Sequence, residues 1–380
     1  MKLDEMIRRA LFRLRGRVLN FKPRSNVKGT VLISYVTLPF FRSSSDPLLG
    51  HTNYWESKEM VEIFVERGYE VDLIDTTNHT FTPKKSYDFF IDNGSNMDRI
   101  APLLNHDCIK IFHSTTSHWQ FQNEAEKKRA IRVKESLGVL LPLDRELASL
   151  RAIEISDVVT MLGNAQTEST YAFAGKQITR IPISTTHSYE TPEHKNFDGA
   201  RKNFIWFGGA GALHKGLDLV LEAFSQMPDL HLTVCGKVSP QDKFADVYRK
   251  EMYETQNIKT VGWIDPGSEE FKMLYKASVA LVYPSCAEGQ AGSVVLSMHA
   301  GLIPIVSRES GVDVEPFGIV LPENSVEAVI AAVKKITNES SETLRERAVG
   351  AWSYARTHHT RETFSKAYGE FVDTLTKKYA

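Results

Sequence analysis

At 380 residues the chain is long enough for two domains with substantial cores. Its make-up is that of an ordinary globular protein, 42% hydrophobic and 24% charged with a formal net charge of −1, so nothing global supports nucleic-acid binding and any anion site must be local. Cys108, Cys235 and Cys286 lie far apart and fit neither a disulfide framework nor metal-ligand spacing, which makes a reduced, cytoplasmic setting the default and Cys286 a small buried thiol before it is a nucleophile.

Residues 1–24 open the chain with Leu3, Met6, Ile7, Ala10, Leu11, Leu14 and Val18 at helical spacing. Arg8, Arg9, Arg13, Arg15 and Arg17 fall between them and interrupt every apolar run, which excludes a signal-peptide core or a spanning segment. The spacing predicts a basic amphipathic helix. Residues 1–22 would suit an anionic membrane surface, making the protein peripheral on the inner face of the membrane; a helix packed on the domain with solvated arginines fits equally well.

Over 25–190, strands at 30–36, 70–74, 88–92, 109–112, 157–162 and 178–183 alternate with helices at 54–67, 123–135, 145–155 and 167–174. Such alternation predicts a parallel sheet covered on both faces. The polar, irregular stretch 184–202 reads as a linker. A second domain over 191–358 repeats the rhythm, with strands at 204–207, 230–235, 258–261, 280–283 and 303–306 and helices at 217–227, 271–277, from 293 onward, 325–336 and 343–358. The segment 359–380 is a last helix, suited to crossing back onto the first domain.

Two loops of the second domain carry the chemistry. One runs from Gly208 and Gly209 to Lys215 and Gly216; its glycines permit close backbone approach and Lys215 offers a point charge to a phosphate. The other follows the 280–283 strand: a single carboxylate, Glu288, then Gly289, Gln290, Ala291, Gly292 and Ser293 entering a helix whose free N–H groups suit an anion. Ligands of open α/β sheets sit beyond the carboxyl ends of the strands, where these loops are expected to meet.

Phe207-Gly208 to Lys215-Gly216-Leu217-Asp218, Leu232 to Gly236, Val261-Gly262-Trp263-Ile264, Tyr275 to Gly289 and Ala300 to Val306 follow one another in an order that resembles the donor domain of the retaining, nucleotide-sugar-dependent glycosyltransferases of family four. The first half resembles that family only in its strand–helix rhythm and in Ile111-Phe112-His113. The resemblance implies a GT-B architecture, two Rossmann-like parallel-sheet domains facing each other across a cleft. It implies that Glu288, as the first glutamate of a Glu-x7-Glu motif, accepts hydrogen bonds from hydroxyls of the transferred sugar. Residues 289–293 would present amides to sugar and phosphates, Lys215 would neutralise the leaving diphosphate, and His113 would line the reaction centre from the acceptor side. No cofactor is implied beyond the nucleoside diphosphate sugar that serves as donor substrate; a glycan or lipid-linked acceptor would lie near 34–45, 51–56 and 113–118. No metal site is evident, since the histidines are scattered and Asp313-Val-Glu315 reads as a loop, so Lys215 and helix N-termini are expected to do the work of a cation.

Two departures stand out. Leu296 occupies the place of the second, ribose-holding glutamate, and Gly209 and Ala210 occupy the stretch where relatives carry an arginine. That leaves Lys215, with help from His214, as the cation of the loop; Arg308 is a candidate substitute. The departures keep two further readings open, a catalytically weak or inactive protein that binds a sugar nucleotide or a partner glycosyltransferase, and a sugar-nucleotide epimerase of the same fold.

Overall fold

The computed structural model describes residues 17–42 and 50–379, and the amphipathic-helix reading of residues 1–16 lies outside them. A seven-stranded sheet in the order β1-β3-β2-β4-β5-β6-β7 forms the first domain. Its strands are β1 (Val18–Phe21), β2 (Gly29–Tyr35), β3 (Tyr69–Asp75), β4 (Phe89–Asp92), β5 (Ile109–Ser114), β6 (Val158–Leu162) and β7 (Ile178–Ile181). All neighbours are parallel except β1, which runs antiparallel to β3. The period of two divides the apolar side chains between faces: Val31, Ile33, Phe89, Ile91 and Ile111 enter one buried cluster, and Leu32, Phe90, Phe112, Val159 and Met161 the other.

The second sheet is six-stranded and parallel, in the order β10-β9-β8-β11-β12-β13. It comprises β8 (Asn203–Gly208), β9 (His231–Gly236), β10 (Ile258–Gly262), β11 (Ala280–Tyr283), β12 (Ile303–Val306) and β13 (Ile319–Val320). The order reverses direction between β8 and β11, so the loops leaving those two strands flank the switch point of the sheet.

Two segments differ from the reading of their periodicity. Residues 18–21, assigned to the end of the amino-terminal helix, are an edge strand. Leu19 and Phe21 pack on one cluster and Val18 on the other, while Asn20 donates to Glu70 (2.8 Å) and Asp72 (2.7 Å). The 145–155 stretch is irregular except for Ala152–Ile155. Its backbone is held by side chains of the Trp119–Leu137 helix: Glu126 accepts from the Asp144 and Arg145 amides, Gln122 donates to the Arg145 carbonyl, and Asn123 bonds both polar groups of Leu147. The Arg145 and Leu147 carbonyls, which a helix starting here would use internally, are thereby taken.

The same 119–137 helix joins the domains. Arg129 (4% exposed) pairs with the fully buried Asp218 at 3.1 Å and donates to the Pro284 carbonyl at 3.1 Å. Arg132 reaches Asp218 at 2.7 Å and Glu222 at 2.8 Å. Both acids belong to the Leu217–Ser225 helix, where Asp218, in the first turn, also complements the helix dipole. The Arg361–Tyr379 helix lies on the Thr52–Glu66 helix of the first domain, with Trp55 edge-on to Phe364 and Arg67 paired with Asp373 at 2.7 Å.

Candidate active site

Between the carboxyl ends of β8 and β11, the structure brings Lys215 and Glu288 into an ion pair of 2.6 Å, with only 11% and 13% of the side chains exposed. Each partner has a local cause. Gly216 adopts φ +75°, and a Cβ there would lie 2.2 Å from the Pro284 carbonyl oxygen, so only glycine lets the β8 loop close on the β11 loop. The Lys215 stem runs over Gly208, and the Trp206 indole donates to the Lys215 carbonyl at 3.2 Å. Gly209 and Ala210 are exposed, with open space around Gly209.

His214 fastens the two loops together and is not a ligand-facing cation. Its carbonyl accepts from the Cys286 amide at 2.8 Å, its ring bonds the Ala287 carbonyl, and it is 1% exposed. Cys286 lies 3.6 Å from His214 Nδ1, yet burial pushes its thiol up to about 12, so it is no nucleophile at neutral pH.

Glu288 Oε1 accepts three hydrogen bonds, from Lys215 Nζ (2.6 Å), the Tyr283 hydroxyl (2.9 Å) and the Ser285 hydroxyl (3.2 Å). Oε2 accepts none among the described residues and is not sealed from solvent. Burial would raise the pKa of this carboxyl. The Lys215 charge and hydrogen bond, with the charges of His214 and Arg145, more than offset burial and hold it at about 2. The group is therefore an ionised acceptor with one oxygen fixed and the other open.

The segment after Glu288 serves two purposes. Part of it fits the domains together. A Cβ on Gly289 would lie 2.4 Å from the Thr115 carbonyl oxygen and 2.7 Å from that of Leu162, so glycine here admits the first domain. Thr167 donates to the Gly289 carbonyl at 2.8 Å and Ser117 to the Glu288 carbonyl at 2.6 Å. The Gln290 side chain accepts from the Ile183 amide (2.8 Å), and the Ala291 amide is taken by the Ser310 carbonyl (2.9 Å). Only then does the Gly292–His299 helix begin, and the Gly292 and Ser293 amides have no acceptor among the described residues. Of the 289–293 amides, only that of Ala291 has an acceptor among the described residues.

Other expected residues fall elsewhere. Leu296 is 5% exposed and belongs to the core. His113, placed by the resemblance at the reaction centre, is 1% exposed in β5 between the rings of Tyr35 and Tyr368. Its Nδ1 meets Thr160 Oγ1 at 2.9 Å, and burial lowers its pKa to about 4, so it is neutral. Arg308 is exposed in the turn after β12. Asp313 accepts from Asn164 of the first domain at 2.8 Å, and no group of three or more His, Cys, Asp or Glu is arranged to hold a metal ion among the described residues.

Residues 190–351 match the family model for glycosyl transferases group 1. The likeness to that family spans most of the second domain and less than half of the chain. The whole chain has the GT-B fold, as its likeness to solved structures shows. Sucrose-phosphate synthase from Thermosynechococcus elongatus superposes with a TM-score of 0.65 at 15% identity, covering 92% of this chain and 100% of that one. Anabaena HepE in complex with UDP-glucose gives 0.58 at 10% identity over 91% and 100%. WaaG, a glycosyltransferase involved in lipopolysaccharide biosynthesis, gives 0.55 at 15% identity over 89% and 98%. No curated protein matches the chain by sequence.

Beside the group 1 motifs stand residues that sequence reasoning passed over. Tyr283 at the strand end and Ser285 in the loop both precede Glu288, and two hydroxyls so close before a loop carboxylate are a local signal. Arg145 had no such signal. It is exposed, its stem lies against Gly211, and its charge acts on Glu288, Tyr283 and His51. His51 caps the 52–66 helix by accepting the Asn53 amide on Nδ1 (3.3 Å), which leaves Nε2 to carry the ring proton.

Proposed function

We propose that the protein is a retaining glycosyltransferase that moves a sugar from a nucleoside diphosphate sugar to a hydroxyl of a glycan or lipid-linked acceptor in cell-surface polysaccharide or glycolipid synthesis. The observation that carries the reading is Glu288: one oxygen is fixed by Lys215, Tyr283 and Ser285, and the other is free to accept sugar hydroxyls. Held at about 2, this carboxyl has no proton to give, so it positions the sugar and is not a general acid. Lys215 and the Gly292 and Ser293 amides would stabilise charge developing on the leaving diphosphate. With no second carboxylate placed as a nucleophile among the described residues, attack on the same face, the leaving phosphate taking the acceptor proton, accounts for retention. UDP-sugars are the first donors to try, since HepE was solved with UDP-glucose.

The test is turnover with a panel of sugar nucleotides and acceptors, following nucleotide release and the anomeric configuration of the product. Retained configuration, with turnover abolished in Glu288→Ala, supports the reading; an inverted product or a fully active Glu288→Ala overturns it. The buried Leu296 favours a second reading, a sugar-nucleotide binder without turnover. Calorimetry that finds binding, alongside no nucleotide release with any acceptor, would select it. A peripheral cytoplasmic location is part of the proposal, through residues 1–22. No helix among the described residues is long and apolar enough to cross a membrane. Salt-sensitive binding to anionic liposomes should vanish when residues 1–22 are deleted, and persistence of binding would remove this part.

A further inference from the structure

We propose that Arg145, a residue of the first domain, is the second cation of the donor site and clamps the diphosphate of a bound nucleotide against the 208–216 loop. The inference rests on the donor-binding reading above and names the residue that completes it.

It begins with a charge deficit. Lys215 is already paired with Glu288 at 2.6 Å, so together they present little net charge to a ligand. A diphosphate brings about two or more negative charges, and a helix N-terminus supplies only about half a positive charge. Gly209 and Ala210 offer the loop no further cation.

Arg145 is built to supply one. A Cβ on Gly211 would fall 2.7 Å from Arg145 Cγ and 3.0 Å from Cδ, so the aliphatic stem lies on the loop just beyond Gly209 and Ala210. The backbone beneath it is held at both polar groups. Its amide is 3.2 Å from each oxygen of Glu126, and its carbonyl accepts from Gln122 at 2.5 Å. Glu126 and Gln122 are buried on the 119–137 helix, which Arg129 and Arg132 pair with Asp218 and Glu222. The arginine is thus anchored, through that helix, to the 217–225 helix that begins where the 208–216 loop ends. The residue is exposed and its guanidinium has no hydrogen bond or ion pair among the described residues, while its charge reaches Glu288, Tyr283 and His51. A free planar guanidinium can bond two phosphate oxygens at once, which a lysine committed to a carboxylate cannot do.

Calorimetry on the full chain with UDP and UMP tests this, with ADP, GDP, CDP and dTDP as further arms. Arg145→Ala should weaken the bound diphosphate about 10- to 100-fold and the matching monophosphate by less than about threefold, and Arg145→Lys should recover part of the loss. If both variants keep wild-type affinity and the wild-type diphosphate-to-monophosphate ratio, Arg145 is not the clamp. An equal loss for both nucleotides also overturns the diphosphate contact. Wild-type protein that binds none of the diphosphates overturns the donor-site reading itself, an outcome separate from an unaffected variant of a protein that binds.

Discussion

Two buried carboxylates near the domain crossover, where Ile183 bonds Gln290 and Ser184 bonds Glu56, show how the same side chain is put to opposite uses. Glu288 faces Lys215, His214 and Arg145 and is held at about 2. Glu56, fully buried on the 52–66 helix, accepts from the Ser184 amide (3.0 Å) and hydroxyl (2.8 Å) where the chain leaves the first domain. Burial pushes the Glu56 carboxyl up to about 7 against the pull of these hydrogen bonds and of Thr52, and no cation pairs with it among the described residues. Desolvation is common to both. The neighbouring positive charge decides whether the group is a permanent anion that can hold a ligand or a latch at a crossover that takes up a proton near neutral pH.

The largest effect expected from breaking this contrast is on turnover. Glu288→Gln keeps the shape but removes the charge, and should lower kcat by about 10²- to 10³-fold with the matched donor and acceptor. Steady-state rates near wild type would show that the carboxylate is not engaged in the transition state.

The second effect is on acid stability. With its folded pKa lowered from 4.5 to about 2, Glu288 contributes stability that is full above pH 4.5 and lost as pH falls toward 2, on the order of 3 kcal/mol. Denaturant melts of wild type and Glu288→Gln should therefore converge at low pH and separate above 4.5. Parallel curves would mean that Lys215 does not hold the charge.

For Glu56 the sign reverses. With the folded pKa raised from 4.5 to about 7, the native state binds the extra proton, so stability falls as pH rises through that window. Glu56→Gln should gain on wild type by roughly 1–3 kcal/mol between pH 4.5 and pH 8. An unchanged pH slope in the variant would remove Glu56 from this account. The smallest change expected is in Ser184→Ala, which deletes one donor and should cost about 1 kcal/mol while steepening the loss above neutral pH. Equal melts at pH 5 and pH 8 would contradict it.

Much of the donor half could be read from local pattern, because its strands are short apolar runs and its loops carry glycine where backbones meet. Lys215 and Glu288 were visible as lone charges in small-residue loops, and the sheet order put those loops side by side. Misassignments arose where side chains from distant segments take over the backbone. Spacing alone suggests a helix over 145–155, but Gln122 and Asn123 take the Arg145 and Leu147 carbonyls that its first turn would use. Gly289 reads as room for a ligand, yet the space is filled by Thr115 and Leu162 of the other domain. His113 ends an apolar run, as a cleft residue would, but the rings of Tyr35 and Tyr368 enclose it.

The chain by itself determined two mainly parallel α/β sheets, the group 1 motifs and the identity of the anionic and cationic loop residues, because apolar period and glycine placement act over a few neighbours. Which charges face one another was decided only by tertiary structure. Arg145 lies 66 residues before Gly211 and meets it only because one helix is paired across the domains with Asp218 and Glu222. Coulomb interaction depends on distance in space, and separation along the chain does not report it.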